Sequence, residues 1–305
     1  MAIKYVVVHR NDHNNVGDIA ANPLQYFLQP DEYKVIDINT AHLEQFPPDV
    51  PLIAGGGGLL GNDLFGDNLR CLLNSPDVNH AMQQWTDAWK HVSQANGPVR
   101  DEFMRKLQPL VHDYINKLDN SVGKRVLWGA GHNEETAKRT RGLEFPNWIN
   151  YFNLVGIRDY KQQYQWTPCA SCMHPALNKK YTIKNRVIWF EHKKQLIKST
   201  NFGNDPIPRF INSGNNIEQT IELLGSADTI VTNSYHGAYW GTLLGRRVVV
   251  AEPWSTKFYS MKHAPYLLSK NEDWKDVLDN VATYPNALEE CTQVTKAFWQ
   301  EVKQL

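Results

Sequence analysis

Short runs of apolar, mostly β-branched residues recur along the chain and alternate with longer stretches of helical character. This alternation is typical of parallel strands joined by crossover helices. The pattern predicts strands at residues 4–8, 34–38, 52–54, 125–128, 154–157, 187–190, 209–211, 229–231 and 248–251. It predicts helices at residues 23–28, 79–94, 100–118, 217–224, 237–244 and 288–302, the last of which is amphipathic.

A polar stretch that contains prolines, residues 160–185, separates two series of strands and helices. Each series is long enough to form its own α/β unit. The predicted fold is therefore α/β with two Rossmann-like lobes, residues 1–165 and residues 166–305, and the C-terminal helix belongs to the second lobe. Two such lobes face a central cleft, which is the natural place for a ligand.

The charge balance and the cysteine content narrow the class of protein. The chain carries 32 Lys+Arg and 32 Asp+Glu among 305 residues, a formal net charge of +0. This balance argues against a nucleic-acid partner, and any attraction for an anionic ligand must be local. Four cysteines favour a reducing compartment, and no run approaches the roughly 20 apolar residues of a membrane span. We therefore expect a cytoplasmic protein without a transmembrane segment.

The loops that follow the predicted strands carry the candidate chemistry, because ligands of open parallel sheets bind beyond the carboxyl ends of the strands. The loop after the first strand contains Asn15, Gly17 and Asp18, and Asp18 is placed to cap the next helix. An Asx-rich turn with a capping residue is the simpler interpretation of this loop.

A run of four glycines, residues 55–58, follows the third strand. Glycines permit positive φ and let backbone N–H groups approach an anion or a sugar. The run is not a P-loop, since no Gly-Lys-Ser/Thr follows, and no acidic residue completes a dinucleotide fingerprint. A flexible hinge is the alternative. We take Gly56, Gly57 and Gly58 as candidate ligand-loop residues.

Three further strand ends carry polar side chains. Gly131, His132 and Asn133 follow the fourth strand, and Arg158 ends the fifth. An arginine at this place forms either a structural salt bridge or an anion contact. Lys257 follows a strand of the second half, where it either supplies a point charge for phosphate or carboxylate or is an ordinary surface lysine.

The sequence Asn233-Ser234-Tyr235-His236-Gly237 joins a β-branched strand directly to a helix. This places His236 at a helix N-terminus on the side of the cleft, where the helix dipole favours bound anions and lowers the pKa of an imidazole. Such a histidine suits general acid–base chemistry, and the free N–H groups of the helix N-terminus suit a phosphate.

A Cys-x-x-Cys motif with a nearby histidine raises the question of a metal. Cys169, Cys172 and His174 offer three soft ligands. A structural zinc site needs a fourth ligand and usually a second paired motif, which the chain lacks. We therefore predict a packed linker and no metal.

The ordered set of these motifs resembles the polysaccharide pyruvyl transferase family over about residues 10–260. The resemblance implies a two-lobed, GT-B-like fold and transfer of a pyruvyl group from phosphoenolpyruvate onto a sugar, as a ketal that bridges two hydroxyls. It implies no cofactor besides this donor, and a sugar or glycan acceptor, free or lipid-linked. The motifs that carry it are Asn15-Val-Gly17-Asp18, Gly55 to Gly58, Gly129-Ala-Gly131, Arg158-Asp159, and Ala227-Asp228 followed by His236-Gly237.

Within this resemblance the first lobe is the acceptor side and the second the donor side. Members of the family often carry Arg-Leu before His-Gly, and that arginine would contact the donor; Ser234-Tyr235 stand there instead. Donor binding must then use other cations, or the donor differs. The residues expected at the site are His236 for catalysis; Arg158, Asn233, Ser234, Tyr235, Gly237 and Lys257 for donor binding; and Asn15, Gly17, Asp18, Gly56, Gly57, Gly58, Gly131, His132 and Asn133 for the acceptor or for loop formation.

Two other functions stay open on the sequence. A glycosyltransferase with a nucleotide-sugar donor would keep the fold and replace phosphoenolpyruvate. A glycan-binding protein without catalysis would use aromatic side chains such as Trp240 and Trp254 as platforms for sugar rings.

Overall fold

A computed structural model describes most of the predicted strands and their loops. The described residues are 2–11, 14–38, 47, 49–60, 124–134, 143–146, 149–150, 152–197, 207–270 and 272–305. The helices predicted at residues 79–94 and 100–118 lie outside them. Within this part of the chain, no helix is long and apolar enough to cross a membrane.

The first half of the chain forms a six-stranded parallel sheet. Its strand order is β2-β1-β3-β4-β5-β6. Because all the strands are parallel, their carboxyl ends lie at one edge of the sheet. The strands are β1 (Tyr5–His9), β2 (Tyr33–Asp37), β3 (Leu52–Gly55), β4 (Arg125–Ala130), β5 (Leu154–Ile157) and β6 (Gln165–Trp166).

The second half forms a five-stranded parallel sheet in the order β11-β10-β9-β7-β8. All nine predicted strands are present, and the α/β prediction is confirmed. The two strands that the sequence did not predict, β6 and β11, have two residues each, too few to show a period. The strands of this sheet are β7 (Asn185–His192), β8 (Arg209–Asn212), β9 (Ala227–Thr232), β10 (Arg247–Val250) and β11 (Tyr266–Leu267).

The helices of the described residues differ in how much of their surface they bury. They are α1 (Val16–Ala20), α2 (Ile217–Gly225), α3 (Tyr235–Leu243) and α4 (Ala287–Val302). All nine residues of α3 are buried, as expected of a helix that is apolar on every side. The helix predicted at residues 23–28 is only a 3₁₀ turn, Leu24–Tyr26, which follows Pro23.

The C-terminal helix α4 contributes to the cores of both sheets. Near its start, Cys291 packs in the core that contains β9 and α3. Near its end, Phe298 and Trp299 pack with Trp128 of β4 and with Val7 of β1. Helix α1 of the first half also lies in the core of the second sheet. The boundary near residue 165 stays a prediction, but the packing on either side of it is continuous.

Candidate functional site

Loops that follow the strands of the two sheets contact one another. Ser255, after β10, donates from its hydroxyl to Oδ1 of Asn133, after β4, over 2.8 Å. Lys193, after β7, donates from Nζ to the carbonyl oxygen of Asn14, in the loop after β1. The loops singled out in the sequence therefore come together in one region between the sheets.

His236 lies in the first turn of α3 and is buried in this region. Its Nε2 lies 3.6 Å from Sγ of Cys169. Its Nδ1 faces Gly17 at the start of α1, so closely that a Cβ on Gly17 would lie 2.0 Å from it. Burial, and then the charges of Arg158 and Lys257, lower the pKa of His236 to about 3. The imidazole is therefore neutral in the resting protein.

Two buried cations act on His236. The guanidinium carbon of Arg158 lies 4.0 Å from the centre of the Tyr235 ring, and its Nε is buried without a hydrogen-bond partner. Nζ of Lys257 lies 3.9 Å from the centre of the Trp254 ring. Burial, and then the charge of Arg158, lower the pKa of Lys257 to about 7. Among the described residues, no ion pair joins either cation to a carboxylate.

Two further side chains of this region, His192 and Arg10, were not among the site residues predicted from the sequence. His192 ends β7 and lies 5.3 Å, ring to ring, from Trp254. Burial, and then the charge of Lys257, lower the pKa of His192 to about 4. Arg10 follows β1, and its Nε lies 3.6 Å from the carboxylate of Asp18. Both groups stand at strand ends, so the rule that found Arg158 could have found them.

Two glycines of the predicted loops make room for site side chains. A Cβ on Gly17 would overlap the ring of His236, and a Cβ on Gly131 would lie 2.4 Å from Nε of Arg158. Neither glycine has a positive φ, so space and not backbone conformation requires the absence of a side chain. These glycines position the site by letting its two key side chains pack against backbone.

The four-glycine loop is built into the first sheet. Gly56 and Gly57 have φ of 70° and 78°, which favours glycine. A Cβ on Gly56 would lie 2.4 Å from that of Ala21, and one on Gly58 would lie 2.4 Å from that of Asn133. Gly57 borders open space. Of the three candidate residues in this loop, Gly57 is the one beside which a ligand would find room.

Gly17→Ala is expected to lower any turnover that depends on the His236 imidazole at least 100-fold, because the new methyl group must displace that ring. Overpacking should also lower the free energy of unfolding by about 1–3 kcal/mol. Steady-state kinetics and urea unfolding test both effects. Gly245→Ala is the control for turnover only: its Cβ meets no atom within 4 Å, but its φ of 68° makes an alanine there unfavourable for stability. Equal losses of turnover in the two variants would contradict the clash.

The polar residues before α3 hold the loop in place. The Asn233 amide oxygen accepts from the backbone N–H of His192 over 2.7 Å. The Ser234 hydroxyl oxygen accepts from the Asn212 side chain over 3.0 Å. A Cβ on Gly237 would lie 2.6 Å from the Phe190 ring, so this glycine lets α3 approach β7 closely. The structure therefore gives these three predicted donor residues internal contacts that brace His236.

The cap of α1 is Asn15 and not Asp18. Oδ1 of Asn15 accepts from the backbone N–H of Gly17 over 3.1 Å, and its Nδ2 donates to the carboxylate of Asp18 over 2.9 Å. The helix begins at Val16, so Asp18 lies inside its first turn, beyond the capping position. The expected capping role of Asp18 is corrected, and its carboxylate lies beside Arg10 instead.

His132 is fully buried in a hydrogen-bonded pair. Its Nδ1 lies 2.7 Å from the carboxylate of Asp159, and its Nε2 lies 3.0 Å from the carbonyl oxygen of Glu144. Both partners only accept, so both ring nitrogens carry hydrogen and the ring is an imidazolium. Burial opposes this charge, but the hydrogen bond and the charge of Asp159 outweigh it and raise the pKa of His132. The pair joins the loop after β4 to the residue that follows Arg158.

His132→Gln is expected to lower the free energy of unfolding by about 3 kcal/mol at weakly acidic pH, because it leaves the buried carboxylate of Asp159 without its cation. Because the pKa of His132 is raised in the folded protein, the contribution of the ion pair is fully present below the pKa of this histidine in the unfolded chain. The contribution is lost as pH rises through the folded-state pKa. Urea unfolding across this range should show a pH dependence in the unchanged protein that the variant lacks. The same dependence in both would contradict the ion pair.

The Cys-x-x-Cys motif is packed, with its members pointing to different partners. Sγ of Cys169 lies beside His236, whereas Sγ of Cys172 lies 3.3 Å from the hydroxyl of Thr295 in α4. His174 accepts from a backbone N–H at the start of the next 3₁₀ turn. Among the described residues, no three His, Cys, Asp or Glu side chains are arranged to hold a metal. The contact between Cys169 and His236 has no signal in the sequence.

Comparisons with known proteins find a structural similarity but no family. No known family model matches the chain, and no curated protein matches it. A crystal structure of an uncharacterized protein from Klebsiella pneumoniae subsp. pneumoniae NTUH-K2044 is similar, with a TM-score of 0.41 and 14% sequence identity. The match covers 87% of this chain and 94% of that one.

Proposed function

We propose that the protein transfers a pyruvyl group from phosphoenolpyruvate to a sugar, in a cleft between two Rossmann-like lobes arranged as in GT-B proteins. The observation that carries the proposal is the pair of buried cations, Arg158 and Lys257, beside a neutral His236 in the first turn of α3. The motif order that resembles the polysaccharide pyruvyl transferases supports it independently of that geometry.

The charge of the site supports an anionic donor. Burying two cations without paired carboxylates is unfavourable, and a bound anion would offset this cost. Phosphoenolpyruvate carries both a phosphate and a carboxylate, so it offers one anionic group to each of Arg158 and Lys257. The N–H groups at the start of α3 add donors for one of these groups. The net charge of the chain is +0, so this attraction is local.

The departure from the family motif has a structural counterpart. Tyr235 stands in the segment where family members often carry Arg-Leu, and its ring lies under the guanidinium of Arg158. Ser234 is fully buried and bonded to Asn212. Arg158, which follows β5, belongs to the shared motifs and does not replace that arginine, but Tyr235 holds its guanidinium through a cation–π contact.

His236 is the proposed proton carrier. The anions of the donor would raise the pKa of His236 from its resting value of about 3. The resulting imidazolium gives a proton to the methylene carbon of the donor, and the ring takes back the proton of the first acceptor hydroxyl as its oxygen bonds to the adjacent carbon. The second hydroxyl then displaces phosphate, which leaves with that hydroxyl's proton, and the ketal is complete.

The acceptor and the location of the protein belong to the same proposal. The acceptor is a sugar or glycan, free or lipid-linked. Trp254 is partly buried and can still border a ring, whereas Trp240 is fully buried and cannot serve as a platform. Cys169, Cys172 and Cys291 are free buried thiols, which supports a reducing, cytoplasmic location.

The reaction is tested by incubating the protein with phosphoenolpyruvate and a panel of glycans and measuring the release of phosphate. We expect release that needs both substrates and is lost in His236→Ala. Full activity of His236→Ala, or no turnover with any acceptor, would contradict it. In thermal-shift measurements, phosphoenolpyruvate should stabilise the protein more than a nucleoside diphosphate does. The reverse order would favour a nucleotide-sugar donor, and glycan binding without chemistry would favour a binding protein.

A further inference from the structure

We infer that Cys169 is a positioning residue that fixes which nitrogen of His236 carries hydrogen, a role that rests on the proposed function. Its thiol is fully buried, with Sγ 3.6 Å from Nε2 of His236. The opposite nitrogen, Nδ1, lies on the side of Gly17, where α1 and α3 face each other. The thiol therefore contacts Nε2, and in the proposed reaction Nδ1, on the side of α1, is the nitrogen that would transfer the proton.

A short chain of hydrogen bonds leads to this thiol. Nε1 of Trp240 donates to Oγ of Ser171 over 3.0 Å, and Oγ of Ser171 lies 3.2 Å from Sγ of Cys169. Ser171 and Trp240 are both fully buried, so water does not compete for these groups. The hydroxyl of Tyr239 donates to the carbonyl of Cys169 over 3.0 Å and fixes the backbone that carries the thiol.

The direction of these hydrogen bonds follows from the indole of Trp240, where the series begins. An indole N–H can only donate, so the Ser171 oxygen accepts from Trp240. The hydroxyl hydrogen of Ser171 is then free to point at Sγ of Cys169, and the S–H hydrogen points at Nε2 of His236. In this order Trp240, Ser171 and Cys169 each donate a hydrogen to the next group in the series. In the reverse order, the buried hydroxyl hydrogen of Ser171 would have no acceptor among these groups, which is unfavourable.

The consequence is a defined tautomer of His236. Nε2 accepts from the thiol, so in the neutral ring Nδ1 carries the hydrogen and presents an N–H group toward α1. When the donor is bound and the ring gains a second proton, the same sulfur can accept from Nε2–H, because a thiol is both a weak donor and a weak acceptor. The sulfur thus accommodates both protonation states while Nδ1–H keeps facing α1.

Nitrogen-15 NMR of the resting protein tests this inference without any substrate. Long-range correlations between the ring C–H groups and the ring nitrogens report which nitrogen carries hydrogen, and the His236→Gln spectrum assigns the signals. We expect Nδ1–H in the unchanged protein. Cys169→Ser, whose hydroxyl has both hydrogen-bonding roles but sits on a shorter bond, should keep part of this preference. Cys169→Ala and Ser171→Ala should each show a mixture of the two tautomers.

The outcomes separate this inference from the proposed function. An Nε2–H tautomer in the unchanged protein would overturn the inference, as would an unchanged tautomer in both alanine variants. If Cys169→Ala does not fold, Ser171→Ala decides between these outcomes, because it interrupts the chain one bond earlier. Turnover with phosphoenolpyruvate is measured separately. If turnover is absent but His236 carries its hydrogen on Nδ1 as expected, the proposed function is contradicted and the positioning role of Cys169 is supported. With turnover present, kcat of Cys169→Ala should fall about tenfold, and Cys169→Ser should recover part of that loss.

Discussion

Lys257→Met is expected to stabilise the fold and to abolish most of the turnover. A pKa held at about 7 in the folded protein, against an ordinary 10.5, means that the buried ammonium is unfavourable. At ~1.4 kcal/mol per pKa unit, the cost of the charge is at most ~5 kcal/mol. Methionine keeps the contact with Trp254 without a charge, so we expect a gain of about 2–4 kcal/mol in the free energy of unfolding.

The gain from Lys257→Met should depend on pH in a definite direction. Between about pH 7 and 10.5 the unfolded chain binds the lysine proton and the folded protein does not, so the stability of the unchanged protein rises with pH in this window. Below about pH 7 both states are protonated and the full cost applies. The gain should therefore be largest below about pH 7 and vanish toward the ordinary lysine pKa.

Urea unfolding on either side of about pH 7 checks this expectation. The matched control is Lys179→Met, because Lys179 is exposed and pairs with Glu218 at the surface. It should change the free energy of unfolding by no more than about 0.5 kcal/mol. A Lys257→Met variant that is less stable than the unchanged protein in weak acid would contradict the argument. Retained turnover in that variant would remove Lys257 from the proposed donor site.

Arg158→Met is expected to lower kcat/KM for phosphoenolpyruvate about 100- to 1,000-fold, the size of effect seen when one preorganised charge-stabilising group is removed. The side chain is buried, stacked on Tyr235 and without a paired carboxylate among the described residues. Its charge is therefore available to a bound anion. Arg158→Lys should recover only part of the loss, since an ammonium cannot reproduce the two-pronged geometry of a guanidinium.

A second variant tests whether turnover depends on the position of the Arg158 charge as well as on its presence. Gly131→Ala keeps Arg158 but places a Cβ 2.4 Å from its Nε, so the guanidinium must move. We expect turnover to fall in Gly131→Ala as well. Arg247→Met is the control, because Arg247 is exposed and pairs with Asp228 away from the site. Normal turnover in Arg158→Met, or an equal loss in Arg247→Met, would contradict the role of Arg158.

The sequence predicted the sheets well because central strands such as β4 and β9 are buried on both faces. A run such as residues 229–231 must be apolar and β-branched to fill the space between helices, and this demand is visible without a structure. The extent of the short helices was harder to predict. The turn after Pro23 and the cap of α1 depend on which side chain reaches which N–H group, and several residues nearby could have done so.

The charged residues of the candidate site could be predicted from the sequence, but the contacts of their side chains could not. Arg158, His236 and Lys257 follow strands, and parallel sheets bring strand ends together. The same rule selected His132, but the structure gives both of its nitrogens to internal partners. Nothing in the sequence separates a histidine that faces a cleft from one that faces a buried carboxylate, because the partner is 27 residues away.

By itself the sequence determined the α/β class, the strands, and the residue types at the strand ends, because periodicity and turn chemistry are local properties of the chain. Only the tertiary structure decided that Gly17 lies against His236, that Cys169 contacts Nε2 of that histidine, and that α4 joins the cores of both sheets. These contacts join residues far apart in the chain, and packing around shared cores brings them together. The function proposed for the site depends on this second group of facts.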